Sequence, residues 1–302
     1  MRKNVGFIGL GLMGHGMARN LVEKGFLLTV LGHRNRAPVE DLVKRGAKEA
    51  KDLTQLITAS DVVILCVTGT PQVEDLVYRA GGILQSARSG QIVVDTSTSQ
   101  PGSTVKIAAD LQAKGVRFVD APLTRTPVEA EQGRLNSMVG ADVATFEEIK
   151  PVLQAYSENI LHVGDTGAGH KIKLVNNFAT IGQMALIAES LVACAKWGVD
   201  PKALFQLISL GGANSGVFQK LAGGAVEGDF TPLKFALANA AKDVRYYNQL
   251  ALETGLTAPM AAATMQTMLA AINLGFGTPD HLVASLVPAQ AKINNVEFPP
   301  RK

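Results

Sequence analysis

The stretch that most constrains this chain is Val5-Gly6-Phe7-Ile8-Gly9-Leu10-Gly11-Leu12-Met13-Gly14. A short apolar strand runs into a GxGxxG turn, and the residues that follow, Met13 to Lys24, carry the periodicity of a helix. Each glycine has its own reason to be there. Gly9 permits the tight turn, Gly11 leaves room where a pyrophosphate must approach, and Gly14 lets the helix lie close on the sheet. The start of the helix then offers unpaired amide groups to the phosphates. Close helix–strand packing alone can produce the same spacing. The order strand, turn, helix at the head of an alternating domain selects the dinucleotide reading. Gly9, Leu10, Gly11, Leu12, Met13 and Gly14 are therefore the first candidate cofactor contacts.

The alternation continues. Leu27 to Leu31, Val62 to Val67, Ile92 to Val94 and Val116 to Val119 read as strands and Val39 to Arg45 as a helix, which predicts a mostly parallel sheet covered by helices. The carboxyl end of such a sheet is its functional edge, so Val67 and Thr68 join the candidate cofactor contacts. After Asp165 long periodic segments take over: Lys171 to Trp197, Pro201 to Ser209, Leu233 to Glu253 and Met260 to Leu274. The expected fold class is α/β, with an amino-terminal Rossmann-type dinucleotide-binding domain over 1–165 followed by an all-helical domain over 166–302. The joint falls in Gly164-Asp165-Thr166-Gly167-Ala168-Gly169, and the first long helix acts as a hinge or spine.

Composition agrees with two folded domains. The 302 residues are 47% hydrophobic and 18% charged, which supplies a core and excludes a disordered chain. With 29 basic and 26 acidic residues the formal charge is +3, and no basic block points to nucleic acid. The run after Met1-Arg2-Lys3-Asn4 is too short and glycine-rich for a signal peptide. No segment holds roughly 18 uninterrupted apolar residues, so a cytoplasmic protein without a membrane partner is expected. Cys66 and Cys194 lie in apolar surroundings and read as small core residues in a reducing compartment.

The end of the second strand bears on the cofactor. A carboxylate there would bind the ribose hydroxyls of NAD, but this chain reads Val30-Leu31-Gly32-His33-Arg34-Asn35-Arg36. An arginine instead pairs with a ribose phosphate, so NADP is favoured and NAD remains possible. His33, Arg34 and Asn35 are candidate contacts, and only one of Arg34 and Arg36 need touch the phosphate.

A second constellation is Gly167-Ala168-Gly169-His170-Lys171-Ile172-Lys173-Leu174-Val175-Asn176-Asn177. Lys173 and Asn177 are four residues apart and so share one face of a helix. Carbonyl reduction needs a group that stabilises the developing alkoxide and protonates it, and a lysine ammonium does both. In reverse, a neutral lysine takes the alcohol proton. Asn177 would orient the amine or the substrate oxygen. The bland alternative is a surface helix that carries Lys171 and Lys173.

Together these residues resemble the β-hydroxyacid dehydrogenase family, which includes 3-hydroxyisobutyrate dehydrogenases and the tartronate semialdehyde, glyoxylate, succinic semialdehyde and sulfolactaldehyde reductases. The resemblance covers nearly the whole chain, and its opening signature is Gly9-Leu10-Gly11-Leu12-Met13-Gly14-His15-Gly16-Met17-Ala18-Arg19-Asn20-Leu21. It implies a Rossmann domain, a helical domain and catalysis in the cleft between them, with Lys173 and Asn177 as catalytic residues. It also implies that Asp95-Thr96-Ser97-Thr98-Ser99-Gln100-Pro101 passes beneath the nicotinamide with Thr98 as the polar contact. Phe235 would lie near the nicotinamide, and Lys242 of the pair Lys242-Asp243 would close over cofactor or substrate.

One segment departs from the pattern. Many members carry Asp-x-Pro-Val-Ser-Gly-Gly as a carboxylate cradle, where this chain has Asp120-Ala121-Pro122-Leu123-Thr124-Arg125-Thr126. Thr124 keeps a hydroxyl donor, Arg125 and Thr126 replace flexible glycines, and all three are candidate substrate contacts. An inward Arg125 would bind a carboxylate, sulfonate or phosphate, and sulfolactaldehyde reductases resemble this chain in carrying Gly-Arg-Thr here. An outward Arg125 would be structural.

The expected activity is reversible hydride transfer between NADPH and a small anionic aldehyde or 3-hydroxyacid. The alternatives are an imine reductase or decarboxylating hydroxyacid dehydrogenase on the same scaffold, or a catalytically inactive nucleotide-sensing protein. No metal is expected, since His15, His33, His162, His170 and His281 are scattered and read as surface or locally bonded residues. Trp197 and the methionines at 184, 260, 265 and 268 read as helix packing. The family resemblance adds a homodimer or homotetramer.

Overall fold

The computed structural model describes residues 3–299, so Met1, Arg2 and the expected limits at 1 and 302 lie outside the described residues. The chain divides into two compact units, residues 1–173 and 174–302.

The first unit opens with β1 (Asn4–Ile8), α1 (Gly14–Glu23), β2 (Leu27–Leu31), α2 (Ala37–Lys44) and β3 (Lys48–Ala50). It continues through α3 (Leu53–Thr58), β4 (Val62–Leu65), α4 (Thr70–Tyr78), α5 (Ile83–Ser86), β5 (Ile92–Asp95), α6 (Pro101–Gln112) and β6 (Arg117–Asp120). After these come β7 (Leu123–Thr124), α7 (Pro127–Glu131), β8 (Leu135–Gly140), α8 (Val143–Leu153) and β9 (Ser157–Gly164). The nine strands form one sheet in the order β3-β2-β1-β4-β5-β6-β8-β7, with β9 on β8. Pairing is parallel from β3 through to β6 and between β8 and β9, while β8 runs antiparallel to β6 and β7. The connection order reverses at β1, which lies between β2 and β4, and that reversal opens the crevice where a dinucleotide binds.

The continuous apolar runs follow from burial on both faces. Phe7, Ile64 and Val94 pack to one side of the sheet, and their neighbours Ile8, Val63, Leu65 and Val93 pack to the other. Polar groups in so dry an interior must find partners. Asp95, fully buried at the end of β5, accepts from the Ser97 amide at 2.9 Å and the Ser99 hydroxyl at 2.8 Å.

α9 (Ala168–Lys196) starts in the first unit, and the division falls within it, after Lys173. The second unit adds α10 (Pro201–Ser209), α11 (Gly216–Ala225), α12 (Leu237–Thr254), α13 (Pro259–Ala271) and α14 (Leu286–Ile293). A π turn at Ile272–Phe276, with Gly275 at φ 98°, ends α13 short of the expected Leu274. The core of this unit gathers Ile181, Met184 and Leu191 of α9 with Phe218, Leu221, Val244 and Met268.

By length and composition α9 is long and apolar enough to cross a bilayer, with a mean hydropathy of 1.6 in an 18-residue window, although polar residues interrupt it; Ile181, Met184, Ile187, Ala188, Leu191 and Val192 of this helix belong to the core of the second unit. Trp197 and Met260 are 78% and 68% exposed, so packing within the chain does not account for them. Cys66 and Cys194 are free and half-buried, and burial of the Cys66 thiol pushes its pKa up to about 11.

Candidate active site

The dinucleotide turn has the steric character its three glycines require. A Cβ on Gly9, which sits at φ +99°, would lie 2.1 Å from the Cys66 carbonyl oxygen, and one on Gly14 would lie 1.9 Å from the Gly9 carbonyl oxygen. A Cβ on Gly11 would meet nothing within 4 Å. Two glycines are thus forced by the fold, and the middle one keeps open the space a phosphate would enter. Met13, at the N-cap of α1, makes no side-chain cap bond, and the His15 amide donates to the Gly11 carbonyl oxygen at 3.0 Å, so the turn itself takes up one of the first helix amides. Leu10 and Met13 are half-buried, and Leu12 is exposed. These residues fit the pyrophosphate of a nicotinamide dinucleotide.

The neighbouring loops gather at the same sheet edge. The Val67 amide donates to the Ser97 hydroxyl at 3.0 Å, which ties the end of β4 to the turn after β5, and Thr68 follows it, exposed. Thr98 is the half-buried member of a turn whose neighbours Ser97 and Ser99 are buried. At the tip of β2, His33, Arg34 and Asn35 are exposed; the Asn35 side-chain oxygen accepts from the Ala37 amide at 3.2 Å, at the start of α2.

Asp120, fully buried at the end of β6, fastens the start of α9. One carboxylate oxygen accepts from the Gly167 amide at 2.6 Å and the other from the His170 amide at 2.7 Å. Burial pushes the Asp120 carboxyl up from its ordinary pKa, against the opposing pull of His170 and these amides. Gly169 is required here, because a Cβ would lie 2.5 Å from the Met138 carbonyl oxygen. His170 is fully buried and belongs to the locally bonded histidines. Its ring nitrogens lie 2.7 Å from the Thr104 hydroxyl and 3.2 Å from the Ser97 carbonyl oxygen. Neither Asp120 nor His170 stood out in the sequence as a site residue; an acid in the apolar run Phe118-Val119-Asp120-Ala121 was the available signal.

Held at this start, Lys173 is 9% exposed and donates to the Leu123 carbonyl oxygen at 2.6 Å. The structure therefore joins the helical lysine to the segment expected to take substrate. Within that segment the three candidates differ. The Thr124 hydroxyl accepts from Asn136 at 2.9 Å and still holds its own proton. Thr126 is the N-cap of α7, where its hydroxyl and amide bond the Glu129 carboxylate in a capping box. Arg125, at φ 81°, donates to the Glu158 carboxylate and to the Arg134 carbonyl oxygen, so its guanidinium is tied to the β8–β9 edge.

In the second unit Asn177, one turn beyond Lys173 on α9, is 7% exposed. Its amide donates to Asp243 at 2.6 Å and its oxygen accepts from Asn176 at 3.1 Å, so neither end can flip freely. The other oxygen of Asp243 lies 3.2 Å from the Lys242 ammonium, off the line of a good hydrogen bond. That ammonium also stands 5.3 Å from the Tyr246 ring centre. Asp243, quoted beside Lys242 in the sequence but given no role there, is the acid that holds the Asn177 amide. Phe235 precedes α12, packs on the core of this unit and accepts from the Val283 amide at 2.7 Å.

Residues 4–164 match the NAD-binding domain of 6-phosphogluconate dehydrogenase, and residues 167–286 match the NAD-binding domain of NADP-dependent 3-hydroxyisobutyrate dehydrogenase. The 2-(hydroxymethyl)glutarate dehydrogenase of Eubacterium barkeri is 35% identical over 91% of this chain and 91% of its own length. The 2-hydroxy-3-oxopropionate reductase of Escherichia coli is 31% identical over 92% and 94%. Among solved structures, 3-hydroxyisobutyrate dehydrogenase from Salmonella typhimurium gives a TM-score of 0.82 at 25% identity, covering 94% of this chain and 99% of that one. The chain belongs to the β-hydroxyacid dehydrogenase family. It is an NAD(P)-dependent oxidoreductase whose homologues are hydroxyacid and semialdehyde dehydrogenases and reductases.

Proposed function

We propose that the enzyme reversibly reduces a small anionic aldehyde to the corresponding hydroxyacid, with NADPH preferred and Lys173 as general acid and base. The observation that supports this reading is the 2.6 Å contact between the Lys173 ammonium and the Leu123 carbonyl, in the segment that carries Thr124. When bound, the reduced nicotinamide supplies the hydride. Lys173 donates to the carbonyl oxygen of the aldehyde, offsets the negative charge that develops there and releases its proton to that oxygen. In the oxidative direction the neutral amine takes the proton back. Asn177, fixed by Asp243, orients the amine or the substrate oxygen, and the Thr124 hydroxyl donates to the acid group of the substrate. Arg125 and Thr126 add to that anchor by exchanging Glu158 and Glu129 for the substrate anion. His33, Arg34 and Asn35 receive the ribose phosphate.

The names of the relatives, 2-(hydroxymethyl)glutarate dehydrogenase and 2-hydroxy-3-oxopropionate reductase, support a substrate that carries a carboxylate. Exposed Leu186, Trp197, Leu207 and Leu210 on and after α9 and α10 support a homo-oligomer. The test is Lys173→Ala assayed with NADPH against glyoxylate, tartronate semialdehyde, succinic semialdehyde and sulfolactaldehyde. Turnover on the best of these should fall about 10²–10⁴-fold while NADPH binding is retained. Undiminished turnover would remove Lys173 from the chemistry.

A further inference from the structure

At the tip of β2 the space beside Gly32 is filled from another strand. Arg36 donates to both oxygens of Glu49, Nη1 to Oε1 at 2.6 Å and Nη2 to Oε2 at 2.8 Å. Glu49 lies on β3, opposite Val30 in the parallel pairing with β2. A Cβ added to Gly32 would stand 2.2 Å from Arg36 Nη1 and 2.6 Å from Glu49 Oε1. The conformation of Gly32 is open to any residue, and what fills the space beside it is the two side-chain ends of the ion pair, which a larger residue at position 32 would have to displace. The ion pair occupies the place that an acid at position 32 would take.

We infer that Glu49 is a carboxylate supplied from β3 to the ribose end of the cofactor site, and that Arg36, by masking it, sets the preference for NADPH over NADH. The proposal rests on the NADP reading above. An acid at this tip accepts the ribose hydroxyls of NAD and repels a ribose phosphate. Bidentate pairing engages both Glu49 oxygens and neutralises their charge, which leaves Arg34 to attract the phosphate. The pairing also lowers the Glu49 pKa and raises that of Arg36, so both stay charged near neutral pH. Glu40 on α2 is the other acid that acts on Arg36. Both side chains of the pair are partly exposed, so the effect should weaken as salt rises.

The test is direct binding of NADPH and NADH by cofactor fluorescence to the full-length protein, to Arg36→Gln, to Glu49→Gln and to the double variant. Arg36→Gln unmasks Glu49 and should weaken NADPH at least about tenfold relative to NADH. Adding Glu49→Gln removes the exposed charge and should return most of that loss, while Glu49→Gln alone should bind NADPH at least as well as the native chain. If the double variant stays as weak as Arg36→Gln, Arg36 contacts the phosphate itself and the masking proposal fails, with the NADP reading intact. A native protein that binds the two cofactors equally well would overturn the NADP reading and this proposal with it. Both positions are at the surface, and unchanged melting temperatures will confirm that the variants are folded.

Discussion

The dinucleotide turn separates two demands on glycine that alanine substitution can measure independently. At Gly9 an added methyl lies 2.1 Å from the Cys66 carbonyl oxygen and the backbone is at φ +99°. The left-handed conformation costs an alanine about 1–2 kcal/mol. Forcing aside a backbone carbonyl adds about 1–3 kcal/mol of overpacking. Gly9→Ala should therefore lose about 2–5 kcal/mol, or on the order of 5–15 °C in melting temperature for a domain of this size. At Gly11 the same methyl meets nothing within 4 Å. Gly11→Ala should melt within about 2 °C of the native protein, because it removes chain entropy from the unfolded state and strains nothing in the folded one. Its cost should fall on the ligand. A methyl in the approach of the pyrophosphate displaces an amide–phosphate bond worth about 1.5–3 kcal/mol, which is roughly a 10–100-fold rise in the NADPH dissociation constant. Differential scanning fluorimetry and cofactor fluorescence titration on the two variants test both halves. A Gly11→Ala protein that binds NADPH normally, or one that melts as low as Gly9→Ala, would refute the assignment of the open glycine to the phosphate.

Two further substitutions probe the pairs around the site. Arg125→Gly relieves the positive φ of 81°, worth about 1 kcal/mol, and loses a partly exposed ion pair worth about 0–1 kcal/mol. The melting temperature should stay nearly level while the Michaelis constant for the anionic aldehyde rises, and a rise in turnover failure without any change in that constant would place Arg125 outside substrate binding. Glu148 pairs with Arg117 and Lys3, which hold its pKa down to about 2 from an ordinary 4.5. Its folded pKa lies below the unfolded one, so its contribution to stability is complete above about pH 4.5 and disappears as pH falls towards 2. The side chain is 37% exposed, which limits the contribution to about 1 kcal/mol or less. Glu148→Gln should melt lower than the native protein at pH 6 and level with it near pH 2, and an equal gap at both pH values in thermal melts would disprove the pairing as its source.

The parts of the fold legible in the sequence are those whose burial is locally periodic. β2 and α10 run over the expected residues, Leu27–Leu31 and Pro201–Ser209, because each is a clean apolar or amphipathic block between turn residues. β3 and β9 were not visible. The three residues of β3 include Lys48 and Glu49, and β9 exposes Glu158, Asn159, Leu161 and His162, so neither carries an apolar run. Their strand character comes from pairing with β2 and β8, which is a long-range property. The start of α12 moved from the expected Leu233 to Leu237 for a similar reason, since Ala236 pairs with Leu282 in an isolated bridge and is itself extended.

The site shows the same division more sharply, because a sequence displays donors and acceptors but not which of them are already committed. The helical spacing of Lys173 and Asn177 and the glycine turn could be read from local sequence, whereas Thr124 was singled out only through the family resemblance. Arg125 and Thr126 were equally visible as donors, yet the Glu158 carboxylate 33 residues away holds one and the capping box of α7 holds the other. Each commitment changes the free energy available to a substrate anion, which must compete with a resident carboxylate before it gains anything from these side chains. Thr124 differs because its partner Asn136 donates to it, so the hydroxyl can give its proton to a ligand without breaking the bond it already accepts. Of the three candidates it is thus the one whose contact with a substrate anion costs no existing interaction, and the order Thr124, Arg125, Thr126 is the order in which substitution should be felt in substrate binding.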